Sequence, residues 1–146
     1  MKKYPITILL FLLSFLMLHA QEWQTNLEEA QNLAKDQNRN ILLVFQGSDW
    51  CAPCIKLDRE VWSTPVFQSY AKDHYILVQA DFPRKKKNKL SEEQQKYNNT
   101  LAEKYNQQGI FPLVVLLDPS GKVLGTTGYE KKSPEAYIEL LNALAI

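Results

Sequence analysis

Five consecutive residues, Ile41-Leu42-Leu43-Val44-Phe45, are all apolar. Side chains of a strand alternate between two faces. A strand apolar on both faces must be covered on both, as the central strands of α/β proteins are. A turn, Gly47-Ser48-Asp49, follows, and then Trp50-Cys51-Ala52-Pro53-Cys54 opens a helical pattern that runs to Trp62. The chain has two cysteines, and both lie here. A cysteine at a strand-to-helix junction sits at a helix N-terminus. Unpaired backbone N–H groups and the helix dipole there favour the thiolate. The thiolate is the form that attacks disulfides, and Cys54, one turn on, is placed to close a ring. Pro53 falls in the first helical turn, where a missing N–H is tolerated.

Other uses of the pair fit less well. A loop this short constrains the unfolded chain little, so a purely structural disulfide gains little stability, though that reading stays open. A structural zinc site needs four ligands, and only His74 remains outside the N-terminal leader, so no metal is expected. Covalent haem attachment needs His directly after the second cysteine, where Ile55 stands.

Lys2 and Lys3 precede an apolar run, Ile6 to Leu18, that ends at His19-Ala20. This is the layout of a secretory signal peptide over residues 1–20, with cleavage expected after Ala20; an uncleaved anchor is the alternative. The run is short for a membrane span, so no membrane insertion is expected after cleavage. The remaining residues, 21–146, suffice for one domain with a core of its own. An exported chain meets an oxidising compartment, where cysteines pair. Seventeen basic residues stand against sixteen acidic ones, and two of the basic ones belong to the leader. That balance gives no reason to expect nucleic acid as a partner.

Along residues 21–146, Trp23 starts a short extended lead-in. Thr25-Asn26-Leu27-Glu28 reads as a capping box for a helix with Leu27, Ala30, Leu33 and Ala34 on its apolar face. Strands are expected at Ile41–Gln46, Tyr75–Ala80, Leu113–Leu117 and Val123–Thr126. Helices are expected at Cys51–Trp62, from Thr64-Pro65 with Val66, Phe67, Tyr70 and Ala71 inward, from a second capping box at Ser91-Glu92-Glu93-Gln94 to about Gln107, and from Ser133-Pro134 with Tyr137, Leu140, Leu141 and Leu144 inward. Gly109 reads as a helix-terminating residue. Asp118-Pro119-Ser120-Gly121 is a turn signal, so the last two strands should pair as an antiparallel hairpin. Strands separated by helices call for parallel pairing. The expected fold class is therefore α/β, with a mixed central sheet flanked by helices in three layers.

At this point the residues resemble a known family. Trp50-Cys51-Ala52-Pro53-Cys54 is similar to the W-C-x-P-C motif of thioredoxins, and Phe111-Pro112 before a strand resembles the cis-proline segment that faces it. The element order around them, over roughly residues 23–146, resembles the thioredoxin fold. In detail the chain looks most like exported bacterial thioredoxin-like proteins with a G-S-D-W-C-x-x-C stretch, here Gly47 to Cys54. The resemblance implies a three-layer thioredoxin-like sandwich and a thiol–disulfide oxidoreductase that reduces or isomerises protein disulfides. It implies Cys51 as the exposed nucleophile, Cys54 as the buried resolving cysteine, and Trp50, Ala52 and Pro53 as residues that flank the site and tune its potential. Pro112 should be cis, and Phe111 should offer backbone hydrogen bonds to an extended substrate. No bound cofactor is implied beyond the cysteine pair. The implied partners are disulfide-bearing proteins or peptides and a membrane thiol-transport electron donor, and the chain is expected to act as a monomer.

The chain departs from that pattern in two places. The buried Asp that thioredoxins carry before the motif has no counterpart; Val44 or Phe45 stands there. Asp58, four residues after Cys54 on the same helix face, is the substitute candidate for proton acceptor, against the plainer reading of a solvated carboxylate or a partner for Lys56 or Arg59. The usual basic residue after the second cysteine is replaced by Ile55. Elsewhere Trp62 and Phe67 read as core, Tyr129 as packing and His74 as a surface or strand-end residue. Arg84 to Lys89 reads as a solvated basic loop, with docking of an acidic partner as the alternative. The rival class is a non-catalytic module of the same fold that holds extended peptides at Phe111-Pro112, and it predicts a buried or unreactive Cys51.

Overall fold

The computed structural model describes residues 21–146, so the leader expected over 1–20 lies outside the described residues. Its centre is the all-apolar strand. β2 (Asn40–Gln46) pairs in parallel with β3 (Tyr75–Asp81) and antiparallel with β4 (Leu113–Leu117). A two-residue strand, β1 (Trp23–Gln24), adds to β3 in parallel, and β5 (Val123–Thr127) closes the other edge as the second arm of the hairpin. The sheet order is β1-β3-β2-β4-β5.

The alternation along β2 sorts the core into two halves. Leu42 and Val44 join Leu57, Trp62, Phe67, Tyr137 and Leu141 on one face. Ile41, Leu43 and Phe45 join Leu27, Ala30, Ala34 and Leu101 on the other. The first half is roofed by α2 (Ala52–Leu57), α3 (Pro65–His74) and α5 (Pro134–Ala143). The second is roofed by α1 (Leu27–Gln37) and α4 (Glu92–Tyr105). This is the expected three-layer arrangement, with Trp62 and Phe67 in the core as anticipated. Tyr129 packs at its margin. His74 is exposed, its ring stacked on that of Tyr70 at 3.7 Å.

Several local expectations are corrected. The N-cap of α1 is Asn26, not Thr25: its Oδ1 accepts from the Glu29 amide at 2.9 Å, while Glu28 turns to the Tyr97 hydroxyl. Ser91 caps α4 through the Gln94 amide, but the Gln94 side chain bonds the Thr25 carbonyl and Asn98 and does not complete a box. α4 stops at Tyr105, where Asn106 folds its side chain onto both the N–H and the carbonyl of Ile110 before Gly109 is needed as a terminator. Leu33 and Val66, expected on apolar faces, are exposed at the edges of their helices.

The helix after the motif is not continuous. It starts at Ala52, with Cys51 as its N-cap, and gives way at Asp58–Trp62 to a wide turn in which the Ser63 amide donates to the Asp58 carbonyl at 2.8 Å. Such π turns add a residue to the helical register. Here the extra residue lets the consecutive side chains of Val61 and Trp62 both enter the core.

Candidate active site

Gly47 ends β2 and starts the turn that presents the motif. Its carbonyl accepts from the amides of Trp50 (3.3 Å) and Cys51 (2.9 Å), bending the chain from strand into helix. Cys51 then occupies the N-cap position that Ser, Thr, Asp or Asn usually fills. Its Sγ accepts from the Cys54 amide at 3.3 Å, so a sulfur does the work of a capping oxygen. The two sulfurs are joined in a disulfide, with Cα atoms 5.2 Å apart. Once the bond is reduced, the sulfur held by that N–H is the one best stabilised as an anion.

The exposure expected of Cys51 is not observed. Cys51 is 4% exposed and Cys54 3%, so accessibility does not tell them apart in the disulfide form. Position does: one caps the helix and the other sits within its first turn. Ala52 and Pro53 are exposed beside them.

Phe111-Pro112 is the cis peptide bond among the described residues, as anticipated. Pro112 is buried. The motif and this segment meet through their aromatic neighbours. Trp50 packs edge-to-face on Phe111 at 5.6 Å, and Phe82 does the same from below at 5.4 Å. The Trp50 indole N–H donates to the Phe82 carbonyl at 2.7 Å. Such edge-to-face pairs contribute roughly 0.5–1.5 kcal/mol each beyond area burial. Three loops distant in sequence are thereby fixed to one another. Phe82 was not singled out from the sequence; an aromatic next to proline just past a strand was the only signal.

Asp49 was also missed. Its carboxylate accepts from the amides of Arg84 (2.9 Å) and Lys85 (3.0 Å) and from the Asn88 side chain (2.9 Å). These bonds, the Arg84 amide foremost, hold its pKa below the ordinary 3.8. Beside it, Asp81 accepts from both the amide and the hydroxyl of Ser48, at 2.9 and 2.6 Å. The basic loop is therefore latched to the motif, and the Arg84 guanidinium lies 3.6 Å from the centroid of a Trp50 ring.

A cleft of about 300 Å³ lies between α2 and the sheet, lined by Cys54, Asp58, Gln46, Gln79, Ser48 and the two tryptophans Trp23 and Trp62. Of the positions compared with the thioredoxin acid, Phe45 points to the opposite core and Val44 is sealed in the near one. The next residue on the near face, Gln46, reaches the cleft and donates to Gln79 at 3.2 Å. Period-two counting from Val44 would have found it. Asp58 shares the cleft with Cys54, is exposed, and accepts from the Ser63 hydroxyl at 3.1 Å. It forms no ion pair with Lys56 or Arg59; Arg59 pairs with Glu60. Among the described residues no three His, Cys, Asp or Glu side chains cluster as a metal site requires.

Known proteins resemble this chain in sequence and fold. A family model described as thioredoxin-like matches residues 22–119. A disulfide bond reductase, DsbH, of Chlamydia pneumoniae is 35% identical over 117 residues, covering 80% of this chain and 68% of its own. A solved structure of a DsbH oxidoreductase superposes with a TM-score of 0.78 at 33% identity, covering 85% of this chain and 83% of that one. A disulphide isomerase from Xylella fastidiosa Temecula1 superposes with a TM-score of 0.62 at 24% identity over 88% of this chain and 94% of its own, a likeness of fold.

Proposed function

The chain belongs to the thioredoxin-like family, and on that premise we propose that it works as an exported disulfide reductase or isomerase whose redox centre is the Cys51–Cys54 pair. The observation that carries the reading is the closed Cys51–Cys54 disulfide at the head of α2, with the Cys51 sulfur on the Cys54 amide. Membership of the family supports the class of chemistry, thiol–disulfide exchange, and the likeness to a disulfide bond reductase at 35% identity supports the reducing direction.

In the reduced protein the Cys51 thiolate attacks one sulfur of a substrate disulfide. A mixed disulfide forms and the other substrate sulfur leaves as a thiolate. Cys54 loses its proton and attacks the Cys51 sulfur. The second substrate sulfur leaves, and two electrons have passed from the protein dithiol to the substrate. Asp58 is the proposed acceptor of the Cys54 proton, across the cleft the two share. Phe111 and Pro112 are the proposed seat of the extended substrate, held against the motif by Trp50. Trp50, Ala52 and Pro53 set the potential. The spent disulfide is re-reduced by a thiol-transport partner at the membrane, and no further cofactor takes part. Residues 1–20 are the proposed export signal and 21–146 the periplasmic domain, acting as a monomer; among the described residues no helix is long and apolar enough to cross a membrane.

The burial of Cys51 is the one observation that favours a non-catalytic peptide-binding module. Equilibrating residues 21–146 with dithiothreitol or glutathione separates the readings. A potential near that of thioredoxin, about −270 mV, supports a reductase, and one near that of DsbA, about −120 mV, reverses the direction. A pair that does not exchange, with a reduced Cys51 that resists alkylation at neutral pH, supports the module.

A further inference from the structure

The latched basic loop is not an ordinary solvated connection. Arg84, Lys85, Lys86, Lys87 and Lys89 are all exposed. None takes part in the ion pairs found among the described residues, Arg59–Glu60 and Lys132–Glu130. Asp49 and Asp81 are the acids that hold the loop, and both carboxylates are occupied by hydrogen bonds to Ser48, Phe82, Arg84, Lys85 and Asn88. The loop is thus held through its backbone amides and Asn88, with the Arg84 guanidinium against Trp50 and one aromatic contact from Phe111, and the lysines follow on the same loop.

Resting on the oxidoreductase reading above, we infer that this loop is a docking rim that selects disulfide-bearing polypeptides carrying Asp or Glu beside the reacting cysteine. The charge has the right sign, and outside these five cations residues 21–146 carry ten basic against sixteen acidic residues, so the positive field is local to the site. A cluster of one sign at the mouth of a site raises the local concentration of oppositely charged ligands and steers their approach. Preorganisation lets the rim discriminate, because no loop has to be ordered on binding. A polypeptide is favoured over a lipid surface or a nucleic acid because the rim adjoins the site where a disulfide must lie. Substrates without acidic flanks still react, only more slowly.

The test uses residues 21–146 and two synthetic disulfide peptides that differ only in flanking Glu or Gln. In the wild type the ratio of kcat/KM for the Glu peptide over the Gln peptide is expected to be about 10 at low salt, the low end of the range for electrostatic steering. It should fall towards 1 at several hundred millimolar salt, where surface charges are screened. Combining Lys85→Gln, Lys86→Gln, Lys87→Gln and Lys89→Gln should bring it to about 1 at all salt concentrations; the ratio is internal to each protein, so a reduced folded fraction cancels. A parallel anisotropy measurement uses the same peptides with Ser in place of Cys, so that docking is read without chemistry. Equal binding and equal turnover of the two peptides by the wild type, or a preference that survives in the quadruple variant, overturns the rim. Preferential binding of the Glu peptide with no turnover of either peptide leaves the rim standing and overturns the oxidoreductase reading. Phosphatidylglycerol vesicles that bind the wild type while it shows no peptide preference assign the charge to a membrane and overturn the proposal.

Discussion

The indole of Trp50 lies directly on Gly47: a β-carbon at residue 47 would stand 2.3 Å from Cε2 and 2.4 Å from Nε1. Glycine is required there by close approach, since its φ is unexceptional. The contact holds the indole where its N–H reaches Phe82 and its face receives Arg84. Gly47→Ala should push the ring off its seat and destabilise the domain by about 1–3 kcal/mol, as overpacking does. A lower urea midpoint with altered tryptophan fluorescence is expected; an unchanged midpoint would show that the turn absorbs the methyl.

The two cysteines should fail in different ways. Cys51→Ser should reduce turnover to background, because the capping sulfur is the attacking one. Cys54→Ser should leave the attack intact and accumulate a mixed disulfide with substrate, visible on a non-reducing gel. Trapping by Cys51→Ser instead would invert the assignment.

Asp58→Asn tests the cleft. Because Asp58 is exposed and only lines the same cleft as Cys54, its effect should fall short of the 10²–10⁴ typical of a positioned acid or base, at about tenfold. The loss should fall on release of the mixed disulfide and leave the first attack unchanged in rapid-mixing traces. Equal slowing of both steps would mark Asp58 as structural.

Asp49 should make the latch acid-sensitive. Its pKa is held below 3.8, first by the Arg84 amide and then by the Asn88 side chain. A depressed carboxylate contributes stability above its unfolded pKa and loses it as pH falls through the folded value. The loop should therefore stay latched at pH 5 and loosen below pH 3.8. Asp49→Asn should loosen it already at neutral pH, read as a several-fold loss of hydrogen-exchange protection at the amides of Arg84 and Lys85. Protection unchanged in the variant would remove the carboxylate from the account.

Tyr97 should do the reverse at high pH. Its hydroxyl accepts from the Leu27 amide at 2.8 Å and donates to Glu28, joining α4 to the start of α1. Burial, then the Glu28 bond, raise its pKa from 10.0 to about 12. The folded state keeps the proton longer, so this contribution is complete below pH 10 and is lost as pH rises through about 12. Tyr97→Phe should cost about 1 kcal/mol at neutral pH and flatten the alkaline fall in melting temperature. A variant as alkali-sensitive as the wild type would place the titration elsewhere.

Much of this protein follows from short-range signals. The apolar run at Ile41–Phe45 demanded cover on both faces, and the sheet sits between two helical layers. Cys51 and Cys54, one helical turn apart, form their bond within that turn. The Asp118–Gly121 turn acts on its own backbone and the hairpin came out as read, while the cis Phe111-Pro112 bond is what the family resemblance, not a local signal, implied. What the chain order could not show is which loops meet. Asp49 finds its partners at residues 84, 85 and 88. Trp50, Phe82 and Phe111 come together from three connections. Both follow from the registers that set Gln46 opposite Asp81 on the parallel neighbour and Phe45 opposite Leu113 on the antiparallel one. The same registers turn Gln46 towards Cys54 and Asp58, and the wide turn at Asp58–Trp62 seats Trp62 against the same cleft. A sequence pattern records the preference of a residue for a local conformation and a buried face. Only the closed sheet decides which distant loops share an end, and here that end holds the thiols, their aromatic floor and the cations beside them.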